Sequence, residues 1–217
     1  MTVPARREAA RLLLSLDPPA WSLRHACAVA DVAGFLARAI ERRGTPIDVR
    51  AVEAAALLHD VDKIPAARVR GTRHGDGSAA WLASHGMAEL APLVRDHPVT
   101  RLADDAEAAR LAAAPLEARV VAYADKRAGQ ALESMEARFA SWRRRYPSGP
   151  ADPVPGGPDR PPKGQGWADE TAARVEARAA ALEHEVCAAA GVAPAEVRRL
   201  RWSRRALRDA ASAEAAR

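Results

Sequence analysis

His59-Asp60-Val61-Asp62-Lys63 closes a helical run, Val49 to Leu58, in which Val52, Ala55 and Ala56 precede His59 by seven, four and three residues. Those spacings put His59 on the apolar face of the run. An imidazole and a carboxylate are thus carried toward the interior together, and the rest of the chain has to accommodate them. A carboxylate buried alone is costly or takes up a proton, so Asp60 requires a cation, a metal or several donors. Matching groups recur elsewhere. His25 shares a helical face with Val29, Val32 and Leu36; His97 follows Leu90, Leu93 and Val94 by seven, four and three residues; Asp125 sits among Ala118, Val121, Ala122 and Leu132. Polar groups on separate apolar faces predict one shared occupant.

The 217 residues allow one sizeable core with a helical appendix. Aromatic residues are only 4%, while Ala, Leu, Arg and Glu dominate, which favours helices packed through small side chains. A net charge of +5 and a pI near 9.8 suit an anionic small substrate or a nucleic acid. Cys27 and Cys187 lie far apart in apolar helical stretches, as small core residues of a reduced compartment do. The N-terminal segment is too charged for a signal peptide, and no run reaches the ~18 apolar residues of a membrane span. A cytoplasmic protein without a membrane partner is expected.

Periodicity predicts a first helix over Pro4 to Leu16, stopped by Asp17-Pro18-Pro19, and a long one capped by Ser22 and ending at Gly44. Asp48 is expected to cap the central helix. A basic, glycine-bearing loop from Ala66 to Gly77 carries His74. Short helices follow over Ser78 to Ser84 and Ala88 to His97, then a long one from Leu116 to Arg145. No strand is expected, so the fold class is all-α. Residues 147–166 are more than half Pro or Gly and read as a linker or mobile loop. The expected organisation is a helical domain over 1–146, that linker, and a helical C-terminal extension over 167–217.

Imidazole with carboxylate suits a divalent first-row transition metal, iron or manganese, with zinc, cobalt or nickel as further candidates. If Asp60 uses both oxygens it can bridge two ions, His25, His59 and Asp125 holding one and His74 and His97 the other. Two ions about 3.5–4 Å apart form the usual arrangement for phosphate-ester hydrolysis.

His25, the His59-Asp60 pair and Asp125, in this order on helices, resemble the H…HD…D signature of the HD superfamily of metal-dependent phosphohydrolases. HDVDK resembles its H-D-[IV]-x-K form, and His74 with His97 resemble the extra histidines of the subgroup with a binuclear centre, which includes dinucleoside-tetraphosphate hydrolases and HD-type phosphodiesterases. YADKR at Tyr123 to Arg127 is similar to small bacterial HD-domain proteins. The likeness covers about residues 20–146. Asp62 stands where many members have glycine, and no G-Y-P follows as in the cyclic-di-GMP-cleaving branch. The resemblance implies an HD-domain helical bundle and hydrolysis of a nucleotide or related phosphate by attack of a metal-bound water. Asp60, Lys63 and Asp62 are the expected catalytic groups, Lys63 neutralising phosphate oxygens or ordering Asp60, and Asp62 orienting a histidine or accepting a proton. Lys126, Arg127, Arg70 and Arg73 are expected to contact substrate phosphates. The alternative is an HD regulatory module that binds nucleotide or nucleic acid without turnover. For the latter, the arginines between Arg198 and Arg208 around Trp202 are the relevant feature, although a charge run is usually a solvated face.

Overall fold

The computed structural model describes residues 3–147 and 166–215. Among them are ten α-helices: α1 (Arg6–Ser15), α2 (Ala20–Arg42), α3 (Val49–Leu58), α4 (Asp76–Ser84), α5 (Ala91–Arg95), α6 (Asp105–Ala112), α7 (Leu116–Arg127), α8 (Met135–Arg145), α9 (Asp169–Ala190) and α10 (Trp202–Ala215). The described residues form no strand, only an isolated antiparallel bridge between Ala128 and Leu132. None of their helices is long and apolar enough to cross a membrane.

α2 and α3 form the centre. From Ala51 to Leu58 every α3 residue is buried, a run of Ala, Val and Leu broken only by Glu53. Small residues let neighbouring helices approach closely, so α3 is packed on all sides by α1, α2, α5 and α7. Glu53 is only 3% exposed and is tolerated because Arg6 and Arg38 both bind its carboxylate. Asp48 caps α3 by accepting from the Ala51 amide at 2.9 Å, as its position in the sequence implies.

The helices depart from the sequence reading in several places, α4 starting at Asp76 and α5 spanning only Ala91–Arg95 among them. α2 begins at Ala20 directly after Pro19, and Ser22 lies buried inside its first turn rather than at its cap. The expected helix from Leu116 to Arg145 is two: Ala128 turns extended (φ −130°, ψ 120°), and α8 restarts behind Ser134, whose hydroxyl accepts from Ala137 N. α6, not anticipated, is capped by Asp104, which accepts from Glu107 N at 2.9 Å.

The C-terminal helices pack on the same core. α9 lies against α2 and α7, and α10 against α1 and α2. Trp202 donates from its indole to the Ala30 carbonyl, and the Ser203 hydroxyl and amide both reach Asp31 Oδ1, at 2.8 and 3.2 Å. The outer face of α10 carries the exposed Arg204, Arg205 and Arg208. Most of the proline- and glycine-rich stretch lies outside the described residues; at its edges the Gly166 amide donates to the Pro147 carbonyl at 2.7 Å.

Candidate metal centre

His59 is the C-cap of α3, and His97 follows α5 by two residues. The last carbonyls of a helix have no partner within it, and both imidazoles exploit this. Nδ1 of His59 donates to the Ala56 carbonyl at 2.7 Å, and Nδ1 of His97 donates to the Val94 carbonyl at 2.6 Å. Each bond finishes its helix and fixes the ring with Nε2 pointing away from it. His25, in the second turn of α2, donates from Nδ1 to the Gly129 carbonyl at 2.7 Å, which is possible because α7 stops at Arg127. On the loop before α4, His74 Nδ1 lies 3.0 and 3.1 Å from the two oxygens of Asp62.

The four Nε2 atoms converge. Those of His25 and His59 are 3.2 Å apart, as are those of His74 and His97. Asp60 stands between the pairs. Its Oδ1 is 3.2 Å from His97 Nε2 and 3.4 Å from His74 Nε2, while its Oδ2 is 3.4 Å from His25 Nε2. Asp125 Oδ1 closes the other side, 3.2 Å from His25 Nε2 and 3.7 Å from His59 Nε2. The donor atoms fall into three sets, each within 4.8 Å: His25, His59 and Asp125; His59, Asp60 and His97; Asp60, Asp62 and His74.

A carbonyl oxygen only accepts, so His25, His59 and His97 carry a proton on Nδ1, and in the neutral ring Nε2 is a bare lone pair. These lone pairs face one another and face carboxylate oxygens. Such a cluster is repulsive unless protons or a cation sit in it, and the donor set fits a transition metal. Burial pushes the His97 imidazole down to about 4, which keeps it neutral. Burial also lowers His25, but its bond to Asp125 and the charge of Asp60 outweigh that and raise it. Burial alone would raise Asp60 and Asp125. Lys63 and His59 instead hold Asp60 well below the usual carboxylate range, and His25 and His59 do so for Asp125. Both stay anionic.

His59, Asp60 and His97 are at most 3% exposed, whereas the side chains of His25, His74 and Lys63 are 12, 22 and 37% exposed. The centre therefore opens to solvent past His25, His74 and Lys63. Lys63 Nζ donates to Asp60 Oδ2 at 2.9 Å, and Asp60 raises its affinity for a proton against the effect of burial. Asp62 takes His74 Nδ1 and the Gly75 amide, the latter at 2.8 Å.

The expected phosphate contacts fare differently. Lys126 is fully buried, and its ammonium donates to the His97 and Ala122 carbonyls at 2.8 and 3.1 Å. Arg127 is committed to Tyr123, Glu183 and the carbonyls of Glu133 and Pro194. The expectation that these two contact a substrate is corrected: both cations are tied inside the protein. Arg73 pairs with Glu107 at 2.9 Å, while Arg70 is exposed on the loop. The sequence reading missed Arg101, 1% exposed, which holds the His74 loop by donating to the His74 carbonyl and to Asp76, each at 2.8 Å. No spacing marks it; its remaining partner, Glu107 at 2.7 Å, comes from a segment distant from His74 and Asp76 in the chain.

The sequence model of the family described as HD domain matches residues 22–129, a span that holds all six converging residues. An uncharacterized protein of Methanocaldococcus jannaschii is 32% identical over 110 residues, covering 48% of this chain and 63% of that protein. The chain thus spans less than two thirds of that relative's length. No solved structure matches it.

Proposed function

Because the chain belongs to the HD-domain family through residues 22–129, we propose that its buried histidine–aspartate centre holds two divalent metal ions. With them it hydrolyses a phosphate ester or anhydride of a nucleotide or related small molecule. The observation that carries this reading is the inward convergence of four imidazole Nε2 atoms, three of them on rings whose Nδ1 atoms donate to carbonyls. His25, His59 and Asp125 would hold one ion and His74 and His97 the other, with the Asp60 carboxylate lying between the two sets. Nitrogen and oxygen donors of this kind suit iron or manganese. Bound there, the ions supply a Lewis acid for water and positive charge for phosphoryl oxygens.

The chain's own groups do the rest. Lys63 fixes Asp60 through Oδ2 and, as the most exposed of the charged members, presents its ammonium at the opening, where an anionic substrate arrives. Asp62 sets the tautomer and orientation of His74, as a carboxylate behind a ligand histidine does. The buried His59 and His97 close the floor against bulk water, which strengthens every charge interaction above them.

The test is Asp60→Ala. Metal analysis of the purified variant, with phosphate release measured over nucleotides and dinucleoside polyphosphates, is expected to show metal and turnover lost together. Metal-dependent turnover retained in that variant overturns the assignment.

A further inference from the structure

Trp21 is 45% exposed, the exposed large hydrophobic side chain among the described residues. The other four tryptophans are wholly or partly buried against the core: Trp81, Trp142, Trp167 and Trp202. Trp21 lies in the first turn of α2, which runs unbroken from Ala20 to Arg42, so Trp21 and the candidate ligand His25 are four residues apart on one helical face. Side chains on a helix lean toward its N-terminus, so the two rings lean the same way and stay about one turn apart along α2. His25 is also one of the three residues past which the centre opens. The exposed indole therefore lies one helical turn before a residue that lines the opening. Beside it Arg24, also exposed, donates to the Gln130 side chain, and the neighbouring Gly129 carbonyl takes the His25 Nδ1 proton. The strip between Trp21 and the centre is thus fixed by bonds between α2 and the segment after α7.

A flat apolar ring held in water about one helical turn along α2 from the candidate ligand His25 is placed to bind another flat ring. Every nucleobase has a π-face, and stacking on an exposed aromatic side chain is how proteins hold bases without reading their edges. We propose that Trp21 is the stacking platform for a nucleobase of the substrate and that it makes the centre selective for nucleotides over phosphate esters lacking an aromatic ring. This rests on the metal-dependent reading of the same site.

The test is made on the full chain loaded with manganese, by calorimetric titration with AMP and with ribose 5-phosphate, which requires no turnover. Wild type is expected to bind AMP roughly tenfold more tightly than ribose 5-phosphate. Trp21→Ala should bring that ratio close to one, and Trp21→Phe should keep most of it. A ratio unchanged by Trp21→Ala, or no preference in wild type, overturns the proposal. So does a change of oligomeric state on Trp21→Ala, read by light scattering, since the indole would then serve an interface between protein copies. Manganese content is measured in parallel: failure to take up metal sinks the reading of the centre, whereas the AMP ratio sustains or sinks the stacking.

Discussion

Asp62 accepts from His74 Nδ1 with both oxygens near 3 Å and from the Gly75 amide. Burial would raise its pKa, but the His74 bond outweighs this and lowers it, so the carboxylate is charged and holds His74 with its Nδ1 proton directed at Asp62 and its Nε2 toward the centre. Asp62→Asn keeps the shape and removes the charge. Its affinity for the ion on the His74–His97 side should fall roughly 10–100-fold, while the His25–His59–Asp125 side keeps its metal. Metal stoichiometry at limiting concentration should drop from two toward one; two ions retained at wild-type affinity would contradict this. At this scale the sequence exposed His25, His59, His97 and Asp125 because each sits at helical spacing from an apolar stripe, Asp60 as the neighbour of His59, and the loop residue His74 through the family resemblance. It misassigned Lys126 and Arg127 because neighbours in sequence are not neighbours around a helix. Each step turns the side chain about 100°, so Lys126 leaves the Asp125 face for the packed side of α7. Arg127 falls one turn beyond Tyr123 and stacks over its ring. Gly129, whose carbonyl orients His25, left no trace, because a backbone acceptor has no residue type.

At the scale of elements, the helices with a long apolar stripe were legible and those defined by their ends were not. α6 is short and buries only Leu111, so it offers no long apolar stripe, and its one clear signal is the Asp104 cap. The break after α7 has no proline. Only Gly129 and the Ser134 cap mark it, and the sequence reading runs the helix through both. The loop before α4 shows how such an end serves the centre. Gly75 adopts φ +86°, and a Cβ there would collide with the Arg95 carbonyl. Gly75→Ala forces an L-residue into the left-handed region, about 1–2 kcal/mol, and the collision adds to that. The variant should lose at least this much in urea unfolding. Because Gly75 directly follows His74, it should also lose the ion on the His74–His97 side. Unchanged stability and metal content would show that this turn is freer than its geometry indicates.

For the whole molecule, folding assembles the centre from segments as distant as His25 and Asp125, so the unfolded chain offers no comparable site. An ion that binds only the folded state stabilises it by about 2.7 kcal/mol at a hundredfold excess over Kd. For a chain of this size that is a rise of about 5–10 °C in Tm, and a chelator should remove it. Protons compete for the same lone pairs, which sets the pH dependence. In the metal-free protein, burial holds His97 near 4 against an ordinary 6.5, so its contribution is present above 6.5 and is lost as pH falls through that interval. His25 is raised instead: its contribution is present below 6.5 and is lost as pH climbs through the raised value. The two imidazoles together predict that metal-free stability peaks near pH 6.5. An ion bound there would displace the competing His25 proton into solvent, so affinity rises as pH climbs through that same raised value, and the stability gained from manganese should grow on the alkaline side of the peak. Tm measured between pH 4 and pH 8 with chelator and with manganese checks this. Two curves of the same shape would mean that protons and metal do not share these ligands.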